Sequence, residues 1–108
     1  MSPLKVTPHE TPAGPVLHVV GELDYASSDA LRFRAETLRL SPGQRLVINL
    51  SGVEFCDSTG ITALLAARQH TQAAGAAMVL EAVPTHLMRI FTLAGLDQVF
   101  TIRLGDSA

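Results

Sequence analysis

The sequence predicts an α/β fold: a mixed four- to five-stranded sheet with helices packed mainly on one face, in the order β-β-α-β-α-β-α-β. Two observations carry this. Short runs rich in β-branched residues, such as Val16-Leu-His-Val-Val20 and Leu46-Val47-Ile48, alternate with longer segments whose apolar residues recur at helical spacing. The junctions carry turn chemistry, with short acidic or hydroxyl side chains where helices should begin and glycines where they should end. At 108 residues the chain is close to the usual size of one domain, and one domain over residues 1–108 is expected.

The elements follow in order. Leu4-Lys-Val-Thr7 predicts a short first strand stopped by Pro8, and residues 9–15, with two more prolines and a glycine, predict a turn. Val16-Leu-His-Val-Val20 is the second strand. The pair reads as a hairpin in which Pro3 and Pro8 are tolerable only if the first strand is a sheet edge. Gly21-Glu-Leu-Asp24 ends the second strand. Ser27 is a good N-cap for a helix from about Ser28 to Leu40, with Asp29 in its first turn and Leu31, Ala35 and Leu38 facing inward. Ser41-Pro-Gly43 terminates it.

Leu46-Val47-Ile48 suits a strand buried on both faces. A polar break from Asn49 to Gly52 follows, then a second extended piece around Val53 to Phe55. The second helix starts at Ser58 or Thr59 and runs to about Ala74, with Ile61, Leu64, Leu65 and Arg68 tracing one face and Gly75 as its stop. Ala77–Val83 predicts another strand. Pro84 opens a third helix in its first turn, with Leu87, Ile90, Phe91 and Leu93 or Ala94 on the buried side and Gly95 at its end. Val99–Leu104 is the last strand, and residues 105–108 are too few for a further element.

Composition excludes several functions. The net charge is -2 and there is no run of Lys or Arg, so a nucleic-acid surface, which needs clustered positive charge, is not expected. One cysteine allows no internal disulfide. The N-terminus lacks the order of a signal peptide and no apolar run approaches membrane-spanning length, so the expectation is a cytoplasmic protein without membrane association. There is no Gly-rich loop ending in Lys-Ser/Thr and no His/Cys pair at metal spacing. His9, His18, His70 and His86 are dispersed, and His18 reads as a strand residue and not a ligand. Cys56 precedes Asp57, whose charge raises a thiol pKa, and so reads as a small buried hydrophobe. Ser58 lacks the Gly-x-Ser-x-Gly elbow of a hydrolase nucleophile. No catalytic, metal or cofactor role is assigned, and the chain reads as a non-enzyme.

What remains is the junction Asp57-Ser58-Thr59-Gly60. A helix start has unpaired backbone N–H groups and a partial positive charge, and either Asp57 or Ser58 can cap it. In both cases the Ser58 hydroxyl sits at or just inside the helix N-terminus. A phosphate there would meet N–H donors and a favourable dipole, beside the like charge of Asp57. Asp24 also lies at a strand-to-helix junction. In a parallel sheet such junctions gather outside the carboxyl ends of the strands, which brings Asp24 towards Asp57 and Ser58. Taken alone, Asp-Ser-Thr-Gly is a capping sequence.

Gly21-Glu22-Leu23-Asp24, Leu46-Val-Ile-Asn-Leu-Ser-Gly-Val53, Phe55-Cys-Asp-Ser-Thr-Gly-Ile61, Ile90-Phe-Thr-Leu-Ala-Gly-Leu96 and Val99-Phe100 together carry a resemblance spread over nearly the whole chain. The sequence resembles the STAS domain, and specifically the bacterial anti-sigma factor antagonists. The resemblance implies the STAS fold and a partner switch that regulates transcription. In it, the unphosphorylated protein binds an anti-sigma factor that is a serine kinase and frees a sigma factor. Phosphorylation of the serine after the motif aspartate weakens that complex, and a PP2C-type phosphatase restores it. That serine corresponds to Ser58, with Thr59 as the fallback acceptor. Asp24, Asp57, Ser58, Thr59 and Gly60 correspond to the switch loop. The alternative that the resemblance allows is an accessory or scaffold subunit of a transport ATPase or sensor complex, without a phosphorylation cycle.

Overall fold

The computed structural model describes residues 3–104. Its strands are β1 (Lys5–Thr11), β2 (Gly14–Leu23), β3 (Arg45–Cys56), β4 (Ala77–Val83) and β5 (Thr101–Leu104), and its helices α1 (Ser28–Glu36), α2 (Ser58–Ala73) and α3 (Thr85–Leu93). The five strands form one sheet in the order β1-β2-β3-β4-β5. β1 is antiparallel to β2, and the other neighbours are parallel. The mixed sheet and the element order are as the sequence predicts. The expectation for residues 105–108 lies outside the described residues.

This strand order determines where the helices lie. Each parallel crossover steps to the next strand in the same direction, and crossovers of one hand taken in one direction put every helix on the same face. Burial along the strands follows. Leu17, Val19 and Leu23 of β2, Leu46, Ile48 and Leu50 of β3, and Met78 and Leu80 of β4 share one apolar core with Leu31, Ala35, Ala63, Leu64, Ala67, Leu87 and Phe91 of the helices. His18 and Val20, pointing the other way from β2, are exposed.

Several boundaries differ from the expectation, each for a local reason. β1 runs through Pro8 to Thr11, and the turn shrinks to Pro12-Ala13. With a two-residue turn, Thr11↔Gly14 closes the hairpin as a hydrogen-bonded pair, and alternation makes Pro8↔Leu17 a non-hydrogen-bonded one. The missing N–H of Pro8 therefore points off the sheet edge, where proline costs the ladder nothing. α1 ends at Glu36, short of Leu40. The Thr37 hydroxyl donates to the Arg34 carbonyl at 3.0 Å, and Leu38 N–H tightens onto the Ala35 carbonyl at 3.3 Å. The chain then peels off so that Leu38 and Leu40 pack on the core, and His70 Nε2 lies 3.0 Å from the Leu38 carbonyl.

β3 is continuous through the polar stretch Asn49 to Gly52. β3 itself carries the irregularity: between the pairs His18↔Asn49 and Val20↔Gly52, and again between Gly21↔Val53 and Glu22↔Phe55, it uses one residue more than β2. The inward face of α2 is Gly60, Ala63, Leu64, Ala67 and Thr71, rotated from the expected one, so Ile61 and Leu65 pack only at its margin. Pro84 is the N-cap of α3 and not its first residue. α3 buries Leu87 and Phe91, one turn apart, and the Phe91 ring packs on Phe100 at a centroid distance of 5.8 Å. Leu93 is 84% exposed and Ala94 is exposed as well. The predicted last strand is shorter, because a 3-10 turn (Leu96–Gln98) holds Val99 and Phe100 through the Leu96 carbonyl.

Candidate functional site

The carboxyl ends of β2, β3 and β4 lie on one edge of the sheet, because these strands are parallel. Two of the loops there carry the predicted site. β3 ends at Cys56 beside Leu23 of β2, and the Asp57 N–H donates to the Leu23 carbonyl at 3.2 Å. That bond joins the β2–α1 loop to the start of α2, and so brings the backbones of Asp24 and Asp57 together.

Asp57 is the N-cap of α2, which decides between the two candidate caps. Its Oδ1 accepts from the Thr59 N–H at 2.9 Å and the Gly60 N–H at 3.1 Å, and its carbonyl accepts from the Ile61 N–H at 3.1 Å. The Thr59 hydroxyl donates to the same Oδ1 at 2.5 Å. These donors hold the Asp57 carboxyl below the usual carboxylate range, the Thr59 hydroxyl first among them. Partial desolvation opposes the shift, and the amides of Gly60, Thr59 and Tyr25 add to it. The Tyr25 amide belongs to the β2–α1 loop, so Asp57 is tied electrostatically to both loops.

Ser58, the first residue of α2, is exposed, and its hydroxyl has no hydrogen-bond partner among the described residues. Its carbonyl is held by the Thr62 hydroxyl at 3.0 Å. Of the N–H donors that a phosphate on Ser58 is expected to meet, two are engaged elsewhere. The Thr59 and Gly60 amides are already spent on Asp57, which occupies the anion seat of this helix start. Thr59, with its hydroxyl engaged and its side chain partly buried, differs from Ser58 in being tied down.

Gly60 is demanded by packing. A β-carbon there would lie 2.6 Å from the Leu23 carbonyl oxygen and 2.9 Å from Cys56 Sγ. The absence of a side chain lets α2 sit against the ends of β2 and β3, and so sets where Ser58 stands. Cys56 is buried, and burial, with the Asp57 charge as the smaller cause, pushes its thiol up to about 11. It is an inert core residue and not a nucleophile.

Asp24 builds its own turn. Its carboxylate accepts from the Ala26 N–H at 3.1 Å and lies 2.9 Å from Ser27 Oγ, while its carbonyl accepts from Ser27 and Ser28 N–H. Ser27 stands at the N-cap position of α1, but its hydroxyl turns back to the Glu22 carbonyl at 2.6 Å, so α1 has no side-chain cap. Asp24 therefore shapes the loop beside Ser58 without bonding to it. Sequence reasoning missed Tyr25, Ser28 and Arg32, which with Asp29, Thr59 and Thr62 line an open groove of about 350 Å³ between α1 and α2. Its signal was the spacing Ser28/Arg32, one helical turn apart, which no apolar pattern marks.

The family model described as "Mlab, STAS domain" matches residues 6–104. The chain belongs to the STAS domain family. Among curated relatives it is 29% identical over 86 residues to the anti-sigma-B factor antagonist of Bacillus subtilis, covering 80% of this chain and 78% of the relative. It is 26% identical over 87 residues to the anti-sigma-B factor antagonist of Listeria monocytogenes, covering 81% and 76%. Among solved structures, an anti-sigma factor antagonist from Mycobacterium paratuberculosis matches with a TM-score of 0.76 and 27% identity over 93% of this chain and 85% of that one. A sulfate transporter family protein from Wolinella succinogenes, at 16% identity and a TM-score of 0.71 over 82% and 74%, shares the STAS fold.

Proposed function

We propose that this STAS domain is an anti-sigma factor antagonist switched by phosphorylation at Ser58. In the unphosphorylated state the surface around Asp24, Asp57, Ser58, Thr59 and Gly60 binds an anti-sigma factor that is itself a serine kinase, and a sigma factor is freed. The kinase transfers the γ-phosphoryl group of ATP to Ser58 Oγ, with ADP leaving and the hydroxyl proton passing to the kinase. A PP2C-type phosphatase hydrolyses the phosphoester and returns the protein to its binding state. The protein itself does no catalysis in this cycle. Its relatives' names support the antagonist role, and the observation that carries the site is the exposed hydroxyl of Ser58, without a partner among the described residues, beside Asp57, the cap of α2.

The arrangement explains why the modification would release the partner. A phosphoserine carries about -1.5 to -2 charge at neutral pH. Two of the helix-start donors, the Thr59 and Gly60 amides, are committed to Asp57, so they do not offset the new charge. An interface fitted to a neutral hydroxyl then holds an unpaired dianion next to the Asp57 carboxylate, which is costly. Each 1.4 kcal/mol lost is about tenfold in affinity.

Pull-down with wild-type, Ser58→Ala and Ser58→Asp baits, read by mass spectrometry, tests this. Ser58→Ala is expected to retain a kinase-fold anti-sigma factor that Ser58→Asp loses. Recovery of a transport ATPase by all three baits alike would replace the switch with the accessory-subunit reading.

A further inference from the structure

The groove between α1 and α2 has a feature that the switch itself does not use. Ser28, the first residue of α1, is 7% exposed, yet its hydroxyl has no hydrogen-bond partner among the described residues. No fully enclosed side-chain oxygen lacks a partner among those residues, so the Ser28 oxygen is one that opens to the groove it lines. The residue is otherwise enclosed, so this oxygen is its polar contact with whatever fills the groove.

Arg32 lies one turn further along the same face of α1 and lines the same groove. Among the described residues its ion pair is with Glu36 at 3.2 Å, on a surface where both side chains are half exposed, and such a pair is weak and displaceable. α1 starts without a side-chain cap, its Ser28 N–H bonded to the Asp24 carbonyl at 2.8 Å and Asp29 standing in its first turn. Tyr25, 75% exposed, stands among the lining residues, and Thr59 and Thr62 close the far wall. The floor therefore offers one hydroxyl and one guanidinium to an oxygen acceptor. Asp29 also lines the groove, and its negative charge opposes an anion there, a dianion about twice as strongly as a single carboxylate, so Arg32 must outweigh it.

We propose that this groove receives a carboxylate side chain of the anti-sigma factor, held by the Ser28 hydroxyl and Arg32, with Tyr25 packing against its stem. This rests on the reading that the partner docks at Ser58. The groove is continuous with that surface, because Thr59 lines it directly and Thr62, also in its wall, holds the Ser58 carbonyl. Ser28 and Arg32 then select which anti-sigma factor binds, while Ser58 decides when it is released.

The test uses the anti-sigma factor recovered with the Ser58→Ala bait, purified, with dissociation constants measured for wild type, Ser28→Ala, Arg32→Lys, Arg32→Glu and Ser58→Asp. Thermal melts check that each variant folds. Arg32→Glu is expected to weaken binding by a hundredfold or more and Ser28→Ala by about tenfold, with Arg32→Lys in between. Changing one Asp or Glu of the partner to Lys is expected to restore binding to Arg32→Glu alone. Wild-type affinity for Arg32→Glu, with Ser58→Asp still impaired, would overturn the groove proposal and leave the switch standing. Wild-type affinity for both would overturn the two together.

Discussion

The Thr59 hydroxyl is bonded to the Asp57 carboxylate, and this bond leaves Ser58 as the hydroxyl of the Asp57-Ser58-Thr59 motif without a partner among the described residues. One carboxylate thereby caps α2 and holds the neighbouring threonine, and the amide of Tyr25 in the adjacent loop adds to its electrostatic stabilisation. The three side chains of the motif therefore stand in unequal states, and the proposed switch uses that difference.

Asp57 makes stability depend on pH in a defined direction. Its carboxyl is lowered in the folded protein, so the unfolded chain binds the more protons as pH falls. The stabilisation is complete above the unfolded carboxylate range of about 4 and is lost as pH drops through the lower, folded value. Melting temperatures from pH 7 to pH 2 should fall more steeply for wild type than for Asp57→Asn at the acid end. Thr59→Val should reduce the same slope, and Thr59→Ser should keep it.

Gly60→Ala brings a methyl group within 2.6 Å of the Leu23 carbonyl oxygen, which is backbone and cannot swing aside. Overpacking of this kind costs about 1–3 kcal/mol, or a melting temperature lower by about 4–8 °C per kcal/mol for a domain of this size. Because the clash lifts the start of α2 off β2, partner affinity should fall even at temperatures where the variant is folded. Calorimetry paired with a binding titration reads both effects.

The phase of α3 is open to a direct comparison. Leu87→Ala empties a buried site and should cost about 2–5 kcal/mol. Leu93→Ala, on a residue 84% exposed, should stay within about 0.5 kcal/mol of wild type. Urea denaturation of the two variants measures the contrast.

Much of this architecture is legible in the residues themselves, and the exceptions are physically instructive. The β-branched runs and the glycines at 75 and 95 mark elements because strand propensity and left-handed backbone are local properties; both glycines have positive φ in the structure. The length of β1 was hidden, since Pro8 is permitted only by a parity that the turn at Pro12-Ala13 sets. The face of α2 was hidden as well, because it follows from the close approach at Gly60 and not from the larger residues Ile61 and Leu65. At the site, Asp57 and Ser58 announce themselves as a capping sequence. The state of the Thr59 hydroxyl, the spent amides and the open Ser28 oxygen depend on loops distant in sequence, and no local pattern encodes them.

The most direct measurement is phosphate mapping. The purified anti-sigma factor kinase and ATP would be incubated with wild type and with Ser58→Ala, and the modified residue located by tandem mass spectrometry. The account predicts one phosphate, on Ser58, and none on Ser58→Ala even with Thr59 intact. A phosphate on Thr59, or full phosphorylation of Ser58→Ala, would contradict it, since the hydroxyl held by Asp57 would then be the one that reacts.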